Sequence, residues 1–96
     1  MYAVFLEVDA DESHTDIARE VLPARAAPSA RDNGARGGYW LAPQNGRGIA
    51  VVVFEREDIA RQASAGFIVG QPPFSGAPDG LVVKTVEIRE VLASVA

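Results

Sequence analysis

At 96 residues the chain is long enough for one domain with its own hydrophobic core, read here as a single unit over residues 1–96. Its hydrophobic share of 48% excludes disorder, and its net charge of −4 with a pI near 4.8 argues against a nucleic-acid binder, which usually carries a basic face. There is no cysteine for a disulfide, a thiolate metal site or a nucleophile; the longest apolar run, "IAVVVF", is too short to span a membrane; and no basic segment precedes the N-terminal apolar stretch, so a cytoplasmic chain without signal peptide or membrane partner is expected.

"YAVFLEV", Tyr2–Val8, is rich in aromatic and β-branched residues and predicts a first strand. Ser13 is then a candidate N-cap, with Asp16 three residues on, and Ile17, Ala18, Val21 and Leu22 recur at helical spacing. Pro23 is expected to kink or end this helix, with Pro28 and "RDNG" marking its exit. "ARGGYWLA", Ala35–Ala42, predicts a second strand and "IAVVVF", Ile49–Phe54, a third, joined at Asn45-Gly46, the strongest hairpin signal in the chain. "EREDIARQASAGF" carries Ile59, Ala60, Ala63 and Phe67 at helical spacing and predicts a second helix. A Pro/Gly-rich loop, Val69–Gly80, has the length of a lid or a connector, and "LVVKTVEIREVL", Leu81–Leu92, predicts the last strand. The order is β-α-β-β-α-β, an α+β chain of the ferredoxin-like, split βαβ kind with an antiparallel sheet.

In that arrangement both helices lie on one face of the sheet. The third strand is apolar on both sides, with Ala50, Val52 and Phe54 on one and Ile49, Val51 and Val53 on the other; the first strand repeats the pattern, with Phe5 on the second side and Glu7 as its only charge. A half-solvated antiparallel strand alternates apolar with polar, so the helix-free face calls for a partner, most simply a second copy. If the hairpin is symmetric about Asn45-Gly46, Tyr39 lies opposite Val52 and points into the subunit, and Trp40 lies opposite Val51 and points outward; a one-residue bulge exchanges the two. The expected dimer-interface residues are then Phe5, Trp40, Ile49, Val51 and Val53.

The element order, the two-sided apolar sheet, "GGYWL…NGRGIAVVVFERED" and the closing "VEIREV" together resemble the dimeric α/β-barrel superfamily, which includes the antibiotic-biosynthesis-monooxygenase-like and stress-responsive barrel proteins. The resemblance covers nearly the whole chain and rests on a pattern rather than a fixed motif. It implies two ferredoxin-like subunits whose sheets form one barrel, with a pocket between sheet and helices in each. Members oxidise aromatic polyketides without a cofactor, degrade haem or isomerise small molecules. The haem degraders rely on a first-strand Asn and a His after the third strand; this chain has neither, and that role is not carried over.

Candidate chemistry is sparse. "RGIAVVVF", Arg47–Phe54, follows the frame of an RNA-recognition octamer, but Ile49 and Val51 stand where bases would stack, leaving Phe5 as a lone ring. "DADESHTDIARE" places Asp9, Asp11, Ser13, Thr15 and Glu20 at the ligand positions of a calcium loop; His14 replaces the required Gly and Ile17 reads as core, so the acids are read as favouring a helix N-terminus. His14 is the only histidine, too few for a zinc site, and reads either as a solvated residue or as a polar group at a pocket mouth. Tyr39, Phe54 and Phe67 fill a core or, with His14, line an apolar pocket. The expected function is a homodimer that binds a small hydrophobic molecule, with a cofactor-free oxidation or isomerisation as the activity the resemblance allows; the alternative is a non-catalytic dimerisation or ligand-binding module, and RNA recognition is the remote one. No metal and no cofactor is expected.

Overall fold

The β-branched and aromatic run after Met1 extends as expected. In the computed structural model, which describes residues 1–95, Tyr2–Asp9 forms β1. A helical segment then runs without a break over residues 12–32. It comprises a 3₁₀ turn (Glu12–His14), α1 (Thr15–Val21), a π-helical turn (Leu22–Ala26) and α2 (Ala27–Asp32). β2 (Ala35–Gln44), β3 (Arg47–Phe54), α3 (Glu57–Ser64) and β4 (Val82–Glu90) follow.

The first helical segment differs from the sequence reading in three ways. Its cap is Asp11 rather than Ser13: the Asp11 carboxylate accepts the Ser13 N–H at 2.9 Å, and His14 Nδ1 accepts the Asp11 N–H at 3.3 Å. His14 thus fills the place that Glu or Gln takes in a capping box. Second, Pro23 does not end the helix. A proline has no N–H and its ring crowds the carbonyl four residues back. Here the chain widens by one residue, so that the Ala27 N–H reaches the Leu22 carbonyl, and the wide turn absorbs the proline. Pro28 sits in the first turn of α2, and the exit falls at Asn33-Gly34, with Gly34 at φ 97°. Third, Ile17 is not a core residue: it is 49% exposed, and no residue of the segment is fully buried. The segment rests on β2 chiefly through α2, which leaves α1 lightly seated.

α3 supplies the tighter cover. Ala60 is completely buried against Val4 and Phe54, with Ile59, Ala63, Val86 and Ile88 packed around them. Small residues on the inner face of α3 let it lie close over β1, β3 and β4. The helix is shorter than its apolar spacing suggests, ending at Ser64 before Gly66, so Phe67 lies beyond it and is half-buried.

The strands form one antiparallel sheet in the order β2-β3-β1-β4, with both helical segments on one face, an α+β arrangement compatible with the ferredoxin-like fold. The hairpin turns at Asn45-Gly46, both at positive φ (54° and 76°), with Gln44 paired to Arg47. Three residues further back the pairing has slipped by one, to Leu41 opposite Ile49, so Ala42 and Pro43 together face Gly48. Pro43 has no N–H to give the ladder, which is where a bulge is expected.

This bulge overturns the expected facing of the two adjacent aromatics. Trp40 stands opposite Ala50, on the helix side with buried Val4 and Phe54, and Tyr39 stands opposite Val51 on the other side, 76% exposed. Trp40 therefore leaves the set of open-face residues and Tyr39 joins it. Residues 65–81 form turns whose backbone bonds the outer edge of β4, with the Gly70 N–H on the Val83 carbonyl and the Val83 N–H on the Gln71 carbonyl, each at 2.8 Å. Among the described residues no helix is long and apolar enough to cross a membrane.

Candidate functional site

The cross-strand register determines what the helix-free face carries. One row across the four strands holds Tyr39, Val51, Phe5 and Glu87; the next, towards the hairpin turn, holds Leu41, Ile49, Glu7 and Thr85; the row on the other side holds Gly37, Val53, Ala3 and Arg89. Opposite residues in a ladder share a face, so Phe5, Ile49, Val51 and Val53 form one apolar surface with Tyr39 and Leu41 at its β2 edge. Tyr39 and Leu41 are both more than half exposed. Over the three rows β4 brings polar side chains to this face, Thr85, Glu87 and Arg89, because Val86 and Ile88 turn to the helices; beyond its register shift it adds Val82, opposite Asp9.

Charges on this face occur in pairs. Arg47 Nε donates to Glu7 Oε2 at 2.7 Å, Lys84 stands 4.0 Å from Asp9, and Arg89 bonds Glu87. Three acids thus meet three bases, and the chain's net charge of −4 resides elsewhere on the molecule. Glu7 is the charge set among the apolar side chains of the central strands. Its side chain is only 13% exposed, and the Arg47 hydrogen bond holds its carboxyl below the usual range. Partial desolvation opposes that shift, while the charges of Arg47 and Lys84 and the Thr85 hydroxyl reinforce it.

Two shallow depressions lie elsewhere on the surface. One is lined by Asp9, Asp11, Ser13, His14 and Asp79 with Gly46 and Gly80. Its polar groups are largely spoken for by the helix start: Asp11 and His14 complete the cap, and the backbone bond from Ser13 lowers the Asp11 carboxyl. The other, beside Tyr2, is lined by Glu55, Arg56, Glu57, Asp58 and Arg61. There Arg56 forks onto Asp58 through two bonds, which lowers the Asp58 carboxyl and raises the Arg56 guanidinium, and Arg61 bonds Glu57. No three His, Cys, Asp or Glu side chains among the described residues are placed to hold a metal ion.

The four residues expected to share a pocket are dispersed. Phe54 is 2% exposed in the core under α3, Tyr39 lies on the opposite face of the sheet, Phe67 follows α3, and His14 caps the first helical segment. The open face does bring together Phe5, Ile49, Val51 and Val53, and adds Tyr39, Leu41 and the Glu7–Arg47 pair. The signal for Tyr39 and Leu41 was Pro43, a residue that within a sheet marks an edge strand or a bulge. The signal for the ion pair was that Glu7 and Arg47, each a lone charge beside an apolar run, fall close together once β1 and β3 pair antiparallel. No protein-family model, curated protein or solved structure matches this chain.

Proposed function

We propose that the chain acts as a homodimerisation domain, two copies packing their helix-free sheet faces together in the manner of a dimeric α/β barrel. The observation that supports this is the apolar helix-free face, with Phe5, Ile49, Val51 and Val53 half-buried and Tyr39 and Leu41 exposed, beside a set of internally neutralised charges. Apolar surface of this extent on one face is stabilised by being covered. A face without net charge neither repels its own copy nor attracts a strongly charged partner, and an isologous contact needs only self-complementarity. The test is solution mass by light scattering during size exclusion. The expected result is a dimer mass that persists on dilution and falls to monomer in Val51→Asp, with far-UV circular dichroism unchanged. A wild-type monomer at the highest attainable concentration overturns the reading.

One observation favours a ligand-binding role within the same assembly. Phe5 and Tyr39 flank Val51 in one row, two rings on a surface that dimerisation would wall in from both sides. A small hydrophobic, preferably aromatic, molecule fits that chemistry. A thermal-shift screen with such compounds tests it: protection in the wild type that is lost in Tyr39→Ala is expected, and equal protection in both removes this reading.

A further inference from the structure

The open face is not uniformly apolar, and its one embedded ion pair has a consequence for how two copies meet. Aliphatic and aromatic patches are non-directional: Val51 on one copy packs against Phe5 or Ile49 of another at little difference in free energy. A flat apolar sheet face therefore favours association without fixing one orientation. Charged groups do fix one, because each must keep its partner when water leaves. Glu7 has only 13% of its side chain exposed, whereas the Arg47 side chain is 48% exposed and still has N–H donors to place. In a face-to-face dimer those donors lose water, so orientations that leave the guanidinium facing an apolar side chain are disfavoured against those that give it an acceptor. The Glu87–Arg89 pair stands at the β4 edge, where the rim remains hydrated, and discriminates less.

We propose that the Glu7–Arg47 pair selects the orientation of the sheet-to-sheet dimer, an inference that rests on the homodimer reading. The pair is the specificity element of the interface, and the apolar residues supply its affinity. Replacing one member alone strands the other's charge; replacing both by apolar residues removes the discrimination while keeping the driving force.

The test uses the absence of cysteine from the chain. A spin label at Gln62→Cys, exposed on α3 on the far side of the sheet, reports one inter-subunit distance per dimer orientation in a pulsed electron resonance experiment. The parent dimer is expected to give one narrow distance. Arg47→Met alone should weaken dimerisation roughly tenfold or more, since it leaves the Glu7 carboxylate unpaired in the interface. The double variant Glu7→Leu, Arg47→Met should stay dimeric and give a broad or multiple distance distribution. Glu7→Gln, the mildest change, strands the Arg47 charge in the same way and should weaken dimerisation in the same sense as Arg47→Met, which checks that the effect follows charge rather than shape. A double variant that keeps the parent's single distance overturns the proposal while leaving the homodimer intact. A labelled parent that is monomeric, with no inter-subunit signal, overturns both.

Discussion

The placement of Tyr39 and Trp40 on opposite faces makes a quantitative prediction, because the two rings are neighbours in sequence and differ in burial. Trp40 lies on the helix side opposite Ala50, with most of its ring covered; Tyr39 is 76% exposed. A large aromatic side chain has on the order of 200 Å² to bury, about 5 kcal/mol at about 25 cal/mol per Å² if all of it were covered, and with roughly two-thirds of Trp40 covered its burial is worth about 3 kcal/mol. Trp40→Ala should therefore lower the unfolding free energy by about 3 kcal/mol, within the range for an aromatic truncated in a core. Tyr39→Ala removes a ring that is mostly in water and should cost about 1 kcal/mol or less in a dilute sample. Urea denaturation followed by far-UV circular dichroism, at two concentrations differing by about a hundredfold, separates the terms. The Trp40→Ala loss should be the same at both, and any larger Tyr39→Ala loss should appear only at the higher one, where the open face is covered. Trp40 is the only tryptophan, so its fluorescence reports independently: a blue-shifted emission poorly quenched by acrylamide is expected. If Tyr39→Ala proved the costlier change in dilute solution and the tryptophan emitted as if in water, the bulge at Ala42-Pro43 would be refuted and the symmetric hairpin restored.

Three further outcomes follow from the same framework. Gly38→Ala should destabilise by about 1–2 kcal/mol, because its Cβ would come within 3.1 Å of the Val51 carbonyl oxygen and 3.2 Å of Val52 Cα, whereas Gly37→Ala, with nothing within 4 Å, should be nearly neutral; thermal denaturation of the two variants makes the comparison. Phe54→Ala should cost about 3–5 kcal/mol, since a ring 2% exposed between Val4 and Ala60 leaves a cavity that a rigid sheet cannot close; chemical denaturation measures it, and a loss under about 1 kcal/mol would contradict the packing. Glu7 contributes a pH term of defined sign. Its folded-state pKa lies below the ordinary value of 4.5, so its contribution is fully present above that value and is lost as pH falls through the lowered one. The stability difference between wild type and Glu7→Gln should accordingly shrink on acidification, and denaturation curves that stay parallel down to pH 2 would remove the Arg47 pair as its cause.

The sequence carried the element types because they depend on local chemistry. β-Branched runs at Tyr2–Asp9 and Arg47–Phe54 extend, Asn45-Gly46 supplies two positive-φ residues, and Ala60 and Ala63 with Ile59 mark the inner face of α3. What periodicity did not carry was how two elements meet. Ile17 has helical spacing with Val21, yet whether it is buried depends on how closely α1 approaches β2, which no residue of α1 decides. Pro23 reads as a stop because a regular α-helix cannot hold it, and the π turn is a longer-range solution that local propensity does not weigh. The same limit applies to the candidate site. That β3 is apolar on both sides was legible from six residues, but which aromatic stands with Val51 depended on one extra residue opposite Gly48.

That extra residue also bears on why the surface has the composition it does. In a symmetric hairpin Trp40 would be exposed, a large ring with one N–H, and Tyr39 would be buried with its hydroxyl in need of a partner under the helices. The bulge reverses both. It places the indole opposite Ala50 on the helix-covered side, and it puts the phenol where water or a second subunit can meet its hydroxyl. A tyrosine that is 76% exposed in the free subunit keeps its polar tip hydrated, and it gives up mostly ring surface when the face is covered. The same holds for Arg47, whose side chain is half covered while its head stays on Glu7. Both side chains suit a surface that must be tolerable when bare and favourable when covered, and the bulge at Ala42-Pro43 is what brings Tyr39 to it.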